Sequence, residues 1–495
     1  MIQDFEILSK RLEELVVDSL GIKNLINPYF RISKATPEQT RKYFLLNSKA
    51  PRPIILVWNL ILIPLNILKF LLVLILSVLF LRQNSIFKKK IKNTQVVFLS
   101  HGTKNNLNNR QKDTYFDLLP NKFQCSKGLA STILYTNQTW FGFRRNGKLL
   151  DQKNREVNHI LLPKFLLTHE HTKYFLLIVN CAVRTLILSF RNYLANPDIS
   201  RILLCSTSWY FSRATYANFL IMSRVKEIHM KNNISSMFLT FEGHSYEQLL
   251  VNEVELSFQG TKIFLHQHSP IVPFHYGIKS FLLRCKVSIT VLTTGIFYKE
   301  YFESFSKLPE YVVIGTNKNL FFASDVSINK TGKILYAPDG TTFSTIEFVD
   351  LIKSIIKESS ANLHVLRLHP DLKISLRLRL KLSRLRKYQN FSISSSSLDS
   401  DLANTNYLVY RTSAVGIESL KYDLLPVYYA GLKFTGLNVL FSNNKAYCKA
   451  ENSSAMLTIL KSHKNKLPAT QRMVLFNSYF STINYQNFED AIQAI

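Results

Sequence analysis

From Gln95 to Tyr429 the sequence repeats one alternation: short apolar runs rich in β-branched and aromatic residues, separated by longer stretches with helical spacing. The runs are 95–100, 201–207, 235–241, 262–267, 288–294, 311–316, 333–338, 364–369, 407–412 and 424–429. A strand that is apolar on both sides has no face to give to water. It therefore belongs in a parallel sheet covered on both faces, and each parallel connection needs a crossover, usually a helix. Helices are expected at 210–225, 345–357 and 414–421. The strands suit two sheets, and a polar, aperiodic stretch at 315–332 marks the break. The expected fold class is α/β, with two doubly wound domains facing across a cleft, 94–318 and 319–465, followed by C-terminal helices at 466–495.

The stretch 53–81 is apolar over 29 residues, with Lys69 its only charge. A bilayer core needs about 20 helical residues, so this stretch is long enough to span. Pro64, Asn59 and Asn66 interrupt its first half. Both flanks are basic: Lys34, Arg41, Lys42, Lys49 and Arg52 precede it, and Arg82, Lys88, Lys89, Lys90 and Lys92 follow. Equal flanks give the positive-inside rule nothing to choose between, so a single span and a re-entrant hairpin both fit. The expected organisation is an N-terminal helical region at 1–52, a membrane anchor or hairpin at 53–93, and a globular part on the cytoplasmic side. The net charge of +29, from 62 Lys and Arg against 33 Asp and Glu, suits anionic membrane lipids or a phosphorylated substrate. The five cysteines are scattered and form no CxxC, which fits a reducing compartment and argues against a disulfide framework or zinc knuckle.

Ligands of open α/β sheets bind at the carboxyl ends of the strands. In the second half, strand 364–369 ends in Arg367-Leu-His369-Pro370. Strand 407–412 ends in Arg411-Thr412-Ser413, where Thr412 or Ser413 is placed to cap a following helix. A helix start with a hydroxyl beside it is a phosphate site. Glu418 lies on the same segment, within reach of a ribose. Alone, His369 reads as a strand end and Ser413 as a helix cap; their occurrence together, at successive strand ends, favours a binding site.

These segments, RLHPDL (367–372) and YRTSAVGIESLKYDLLPVYY (410–429), together with YAPDGTTFS (336–344), resemble the nucleotide-sugar half of bacterial surface polysaccharide and capsule glycosyltransferases of GT-B fold, with their HP and Ser/Thr motifs. The resemblance extends over roughly 95–465. It implies two Rossmann-like domains, a nucleotide-sugar donor linked to CMP or UDP, and a glycan or lipid-linked acceptor. It also implies donor contacts from His369, Thr412, Ser413 and Glu418, with Arg367 and Arg411 beside them. The sequence departs from the family at Tyr422-Asp423, where members usually carry a glycine. In the first half, TFEGHSYEQLL (240–250) and HQHS (266–269) resemble two further segments of the family. An inverting sugar transfer needs one general base. Glu242, at the end of strand 235–241, fits that role, and His268 fits a phosphate contact or an acid. Glu247 lies one turn into the helix and reads as structural. His266 and His268 lack a third metal ligand in the sequence, so no metal or other cofactor is expected.

Asp399-Ser400-Asp401 has the DxD form but reads as a loop and helix cap. No Walker loop, GxGxxG or GxSxG occurs. The basic run 373–387 lacks the interleaved aromatics of a nucleic-acid strip, so no nucleic-acid partner is expected. Two other functions share the pattern: a CDP-polyol phosphotransferase of teichoic-acid type, and a non-catalytic membrane scaffold of polysaccharide synthesis.

Overall fold

The structure, a computed structural model, describes most residues from Ile91 to Gln493. It leaves aside 102–112, 137–156, 163–167, 318–331, 432–436, 463–465 and a few single positions. Before Ile91 only scattered positions are described, so the expectations for 1–52 and for the anchor at 53–93 fall largely outside the described residues.

Two parallel sheets carry the chain. The first holds β1 (Val96–His101), β2 (Ser131–Thr136), β3 (Asn158–Leu161), β4 (Ser236–Thr240), β5 (Lys262–His266), β6 (Thr290–Thr293) and β7 (Glu310–Val313), in the order β3-β2-β1-β4-β5-β6-β7. The second holds β8 (Lys333–Ala337), β9 (Leu363–Leu366), β10 (Phe391–Ile393), β11 (Tyr407–Tyr410), β12 (Leu425–Tyr429) and β13 (Cys448–Ala450), in the order β10-β9-β8-β11-β12-β13. All pairings are parallel. Each sheet thus winds outward from its first strand, returns, and winds the other way. The reversal falls between β1 and β4 in one sheet and between β8 and β11 in the other.

Alternation along the strands builds the two faces. Phe98, Phe238 and Phe264 stack across β1, β4 and β5 on one face, with centroids 4.3 and 4.4 Å apart. Leu99, Leu239 and Leu265 lie on the other, and all six are buried. Partners on either side of each pair match in register, Leu99 with Leu239 and Leu239 with Leu265.

The run 201–207, expected as a strand, is the body of helix Pro197–Thr207. Pro197 and Asp198 form a helix start: proline needs no N–H donor there, and the aspartate meets the positive dipole end. The helix pairs with the long helix Thr168–Arg191 at a close crossing, where Ser189 Oγ donates to Ser200 O (2.7 Å) and Ser200 Oγ donates to Ser189 O (2.8 Å). These two helices and helix Arg213–Asn232 bring the chain from β3 at the sheet edge back to β4 beside β1.

The C-terminal helices Ala469–Tyr479 and Tyr485–Gln493 bind both halves together. Asp423 of the second half accepts Arg472 and Lys466, each at 3.0 Å. On the side of the first half, Ser481 N donates to Thr294 O (2.8 Å) and Asn484 N to Ile314 O (2.8 Å). The Phe297 ring packs 4.5 Å from Tyr479 and 5.4 Å from Phe441. A Cβ on Gly295 would sit 2.3 Å from Ser478 O and 2.4 Å from Tyr479 O, both backbone atoms. Gly295→Ala is therefore expected to destabilise the fold by about 3 kcal/mol, the upper end for overpacking against atoms that cannot rotate away. Denaturant unfolding checks this. A midpoint equal to that of the unaltered protein would show that the C-terminal helix gives way freely.

Candidate functional site

The first cluster sits at the reversal point of the first sheet. His101 ends β1, Glu242 and His244 follow β4, and His268 follows β5. Gly243 turns the chain between Glu242 and His244 with φ +77°, a conformation that costs a glycine nothing. A Cβ there would also press on the backbone of Gly277 and Ile278 at 3.0–3.1 Å. Glu247, fully buried on the first turn of helix Ser245–Ser257, accepts Glu242 N (3.1 Å) and His244 N (2.9 Å). It holds the loop that aims Glu242, which is the structural role its place on the helix suggests. Burial pushes its carboxyl up to about 7.

Glu242 is surrounded by donors. Ser269 Oγ donates to Oε1 (2.9 Å), His268 Nε2 lies 3.3 Å from the same oxygen, and His244 Nε2 lies 3.1 Å from Oε2. Burial alone would raise this carboxyl. The charge and hydrogen bonds of His268 and His244 outweigh burial and hold it well below the usual carboxylate range. Burial, then the neighbouring His244, lowers His101 to about 4, so it is neutral at pH 7. Burial lowers His266 to about 3. The loop after β1 adds Asp113, which accepts Ser100 Oγ (2.9 Å), Tyr115 N (2.8 Å) and Phe116 N (2.9 Å). This turn sets the Tyr115 ring edge-on to His268 at 4.6 Å.

His101, Glu242 and His244 offer ligand atoms within 4.8 Å of one another. The set fits a two-histidine, one-carboxylate metal site. It contains neither His266 nor His268, the pair weighed from the sequence, and it takes His101 from β1, far away in the chain.

The second cluster sits at the reversal point of the second sheet. Asp339, after β8, accepts Thr341 N (2.8 Å) and Thr341 Oγ through one oxygen and the Thr412 hydroxyl (3.2 Å) through the other. Gly340 lies against the imidazole of His369, with an added Cβ only 3.0 Å from Nδ1. Thus β8, β9 and β11 bring Asp339, His369, Thr412 and Ser413 together, although Asp339 carried no role in the sequence reading.

Three donor-side expectations change. Arg411 is fully buried; it donates to Glu347 (2.6 Å) and Tyr429 O (3.1 Å), with its guanidinium near the rings of Phe348 and Tyr429. It is a pillar beneath the loop rather than a donor contact. Arg367 is partly exposed but binds Asp401 (2.9 Å) and Ser396 O (2.8 Å), so it braces the DxD segment. That segment, expected as a loop and helix cap, is instead the first turn of helix Leu398–Ala403, and Ser397 is the cap. Finally, the helix after Ser413 is one turn, Val415–Glu418, with Ala414 at its cap position. Ser413 takes up its first N–H groups: Val415 N reaches Ser413 Oγ (3.4 Å) and Gly416 N reaches Ser413 O (3.1 Å). One turn sums too few peptide dipoles for a strong anion site. Glu418, partly exposed, ends that turn.

No protein-family model matches the sequence, and no curated protein matches it. The structure is similar to UGT2 of Phytolacca americana, at 9% identity over 78% of this chain and 94% of that one, with a TM-score of 0.40. It is also similar to the glycotransferase of kitacinnamycin (8% identity, 81% and 99% covered, TM-score 0.44). A third is the UDP-forming α,α-trehalose-phosphate synthase of Burkholderia vietnamiensis (11% identity, 80% and 94% covered, TM-score 0.42).

The raised Glu247 carboxyl gives a pH signature. A carboxyl whose folded value lies near 7 and unfolded value near 4.5 contributes in full below pH 4.5. Its contribution is lost as pH rises toward 7, where the folded state must ionise a buried group. Unfolding free energies of the unaltered protein and of Glu247→Gln, compared from pH 4.5 to 8, are expected to move in the variant's favour up to about pH 7 and then run parallel. A constant difference across that range would mean that Glu247 stays ionised in the fold.

Proposed function

We propose that this chain is a metal-independent glycosyltransferase. It moves a sugar from a CMP- or UDP-linked donor to a bacterial surface polysaccharide or glycolipid, such as capsule or lipopolysaccharide, at the cytoplasmic face of the plasma membrane. The observation that carries the reading is the pairing of two unlike clusters at the two sheet reversals. One holds an ionised carboxylate among imidazoles; the other holds hydroxyls and an imidazole. The first suits proton removal from an acceptor, and the second suits a leaving phosphate. The likeness of 336–344, 367–372 and 410–429 to the sugar-nucleotide half of the surface-carbohydrate enzymes supports the donor class. The apolar stretch 53–81 supports the membrane.

In this reading the acceptor hydroxyl oxygen bonds to the anomeric carbon while its proton passes to Glu242. The bond from that carbon to the donor phosphate breaks, and the electron pair leaves with the nucleotide. His369, Thr412 and Ser413 meet the charge that develops there. His244, between Glu242 and His101, offers the proton a way onward. Glu242 is a weak base by itself because its neighbours stabilise the anion, so the imidazoles share the work.

Glu242→Gln is expected to abolish transfer and leave nucleotide-sugar binding near normal. His369→Ala should lower turnover by about 10²–10³, the usual cost of one fixed donor to a developing anion, and Ser413→Ala by less. Activity should persist in EDTA. Turnover measured with a panel of nucleotide sugars, with product analysis, checks all four. A phosphodiester product would favour the polyol phosphotransferase. Full activity in both Glu242→Gln and His369→Ala would remove this site from the reaction. Loss in EDTA, restored by added metal, would place an ion on His101, Glu242 and His244.

A further inference from the structure

Helix Thr168–Arg191 is packed on one side only. Inward, Tyr174, Ile178, Thr185, Leu188 and Ser189 are buried, with Thr185 hydrogen-bonded to Tyr210 (2.9 Å). Outward, Leu176, Val183, Ile187 and Phe190 are 47–64% exposed, and Leu194 in the turn beyond is 87% exposed. At 100° per residue the four helical positions fall within about 40° of one line, with Asn180 between Leu176 and the stripe Val183, Ile187 and Phe190. Scattered surface apolars are ordinary; a continuous stripe that includes a phenylalanine marks an interaction surface. Lys173, Arg184 and Arg191 are exposed and run along one flank of it. The helix has one acidic residue, Glu170, and its carboxylate is turned inward to Arg224 (2.8 Å) and Ser223. The charged residues on the outward face are therefore all cationic.

We propose that this face docks on an anionic lipid bilayer, lying in the headgroup layer with the stripe in the acyl boundary and the cations at the phosphates. The helix is long and apolar enough to cross a membrane by length and composition. Its inward half, however, is fixed to Tyr210 and Ser200 within the first domain, so it lies on the bilayer and does not span it. Charge selects this occupant. The stretch 53–81 carries a lone lysine and no carboxylate, so it offers nothing to the three cations. A second copy would set like charge against like charge in a chain of net charge +29. Apolar insertion and phosphate attraction together are the signature of an interfacial helix. The proposal does not depend on sugar transfer.

The test uses the full chain and vesicles of phosphatidylcholine with and without phosphatidylglycerol. Phe190→Trp adds a fluorophore at the stripe, and its extra emission over the unaltered protein should be quenched by brominated lipid. In the Phe190→Trp background, Val183→Glu/Ile187→Glu alters exposed positions only and should lower that quenching by roughly tenfold or more, a readout that attachment through 53–81 does not mask. Removing phosphatidylglycerol should weaken the quenching at position 190. Unquenched tryptophan at position 190 overturns the proposal. So does a dimer that the double charge variant converts to monomer without change in the quenching, or a cross-link joining this face to 53–81. Sugar transfer in detergent by the double variant should be unchanged; its loss there would bear on the catalytic reading instead.

Discussion

Everything functional in this protein depends on the right-handed crossover. A strand followed by a helix and a parallel strand in the same sheet turns to one hand, because twisted strands and right-handed helices pack back onto the sheet only that way. To cover both faces of a sheet, the chain must therefore return to its first strand and wind in the other direction. At that return two neighbouring strands send their following loops to opposite faces, and a crevice opens between them. The chain does this twice, at β1 and β4 and again at β8 and β11. His101 and Glu242 flank the first crevice, and Asp339 and Thr412 the second. The chemistry stands where topology leaves polar backbone ends that no neighbouring loop covers.

Charge inside the first crevice follows from burial among imidazoles. A buried carboxylate is costly unless donors surround it. Glu242 has three, from the two loops after β4 and β5, and the neighbouring Glu247 has backbone N–H groups. The two glutamates five residues apart are driven to opposite ends of the carboxylate range by this difference in partners. Sequence spacing separates a glutamate on the strand end from one on the helix, but it does not reveal which imidazoles close around the first.

Much of the α/β pattern was readable because buried parallel strands are dense in apolar residues. β1, β4, β5, β8, β11 and β12 all fall on such runs. β3 (NHIL), β10 (FSI) and β13 (CKA) are edge or near-edge strands of three or four residues, too short to show a period, and the sequence did not mark them. The misread run 201–207 is apolar because it faces a helix and the core together; Pro197 and Asp198 carried the contrary signal. At the sites, local rules found His369, Thr412, Ser413, Glu242 and His268 as residues at strand ends. The same rule applied to β1 would have found His101. Asp113 and Asp339 escaped because their importance lies in what they hold, Tyr115 and Thr412, across loops and between strands. Arg411 misled because a strand-end arginine looks like an anion binder, and only packing shows Glu347 and two aromatic rings enclosing it.

The path of the final residues has a consequence for synthesis. Gly295 and the backbone at Thr294 and Ile314, in the first half, are covered by residues 478–484, which follow the whole second sheet in the chain. The first sheet can assemble while translation continues, but its far edge stays without its native cover until the second half has emerged. A translation product that stops before 441 would carry the strands of the first sheet with the Phe297 ring stripped of both its partners, Phe441 and Tyr479.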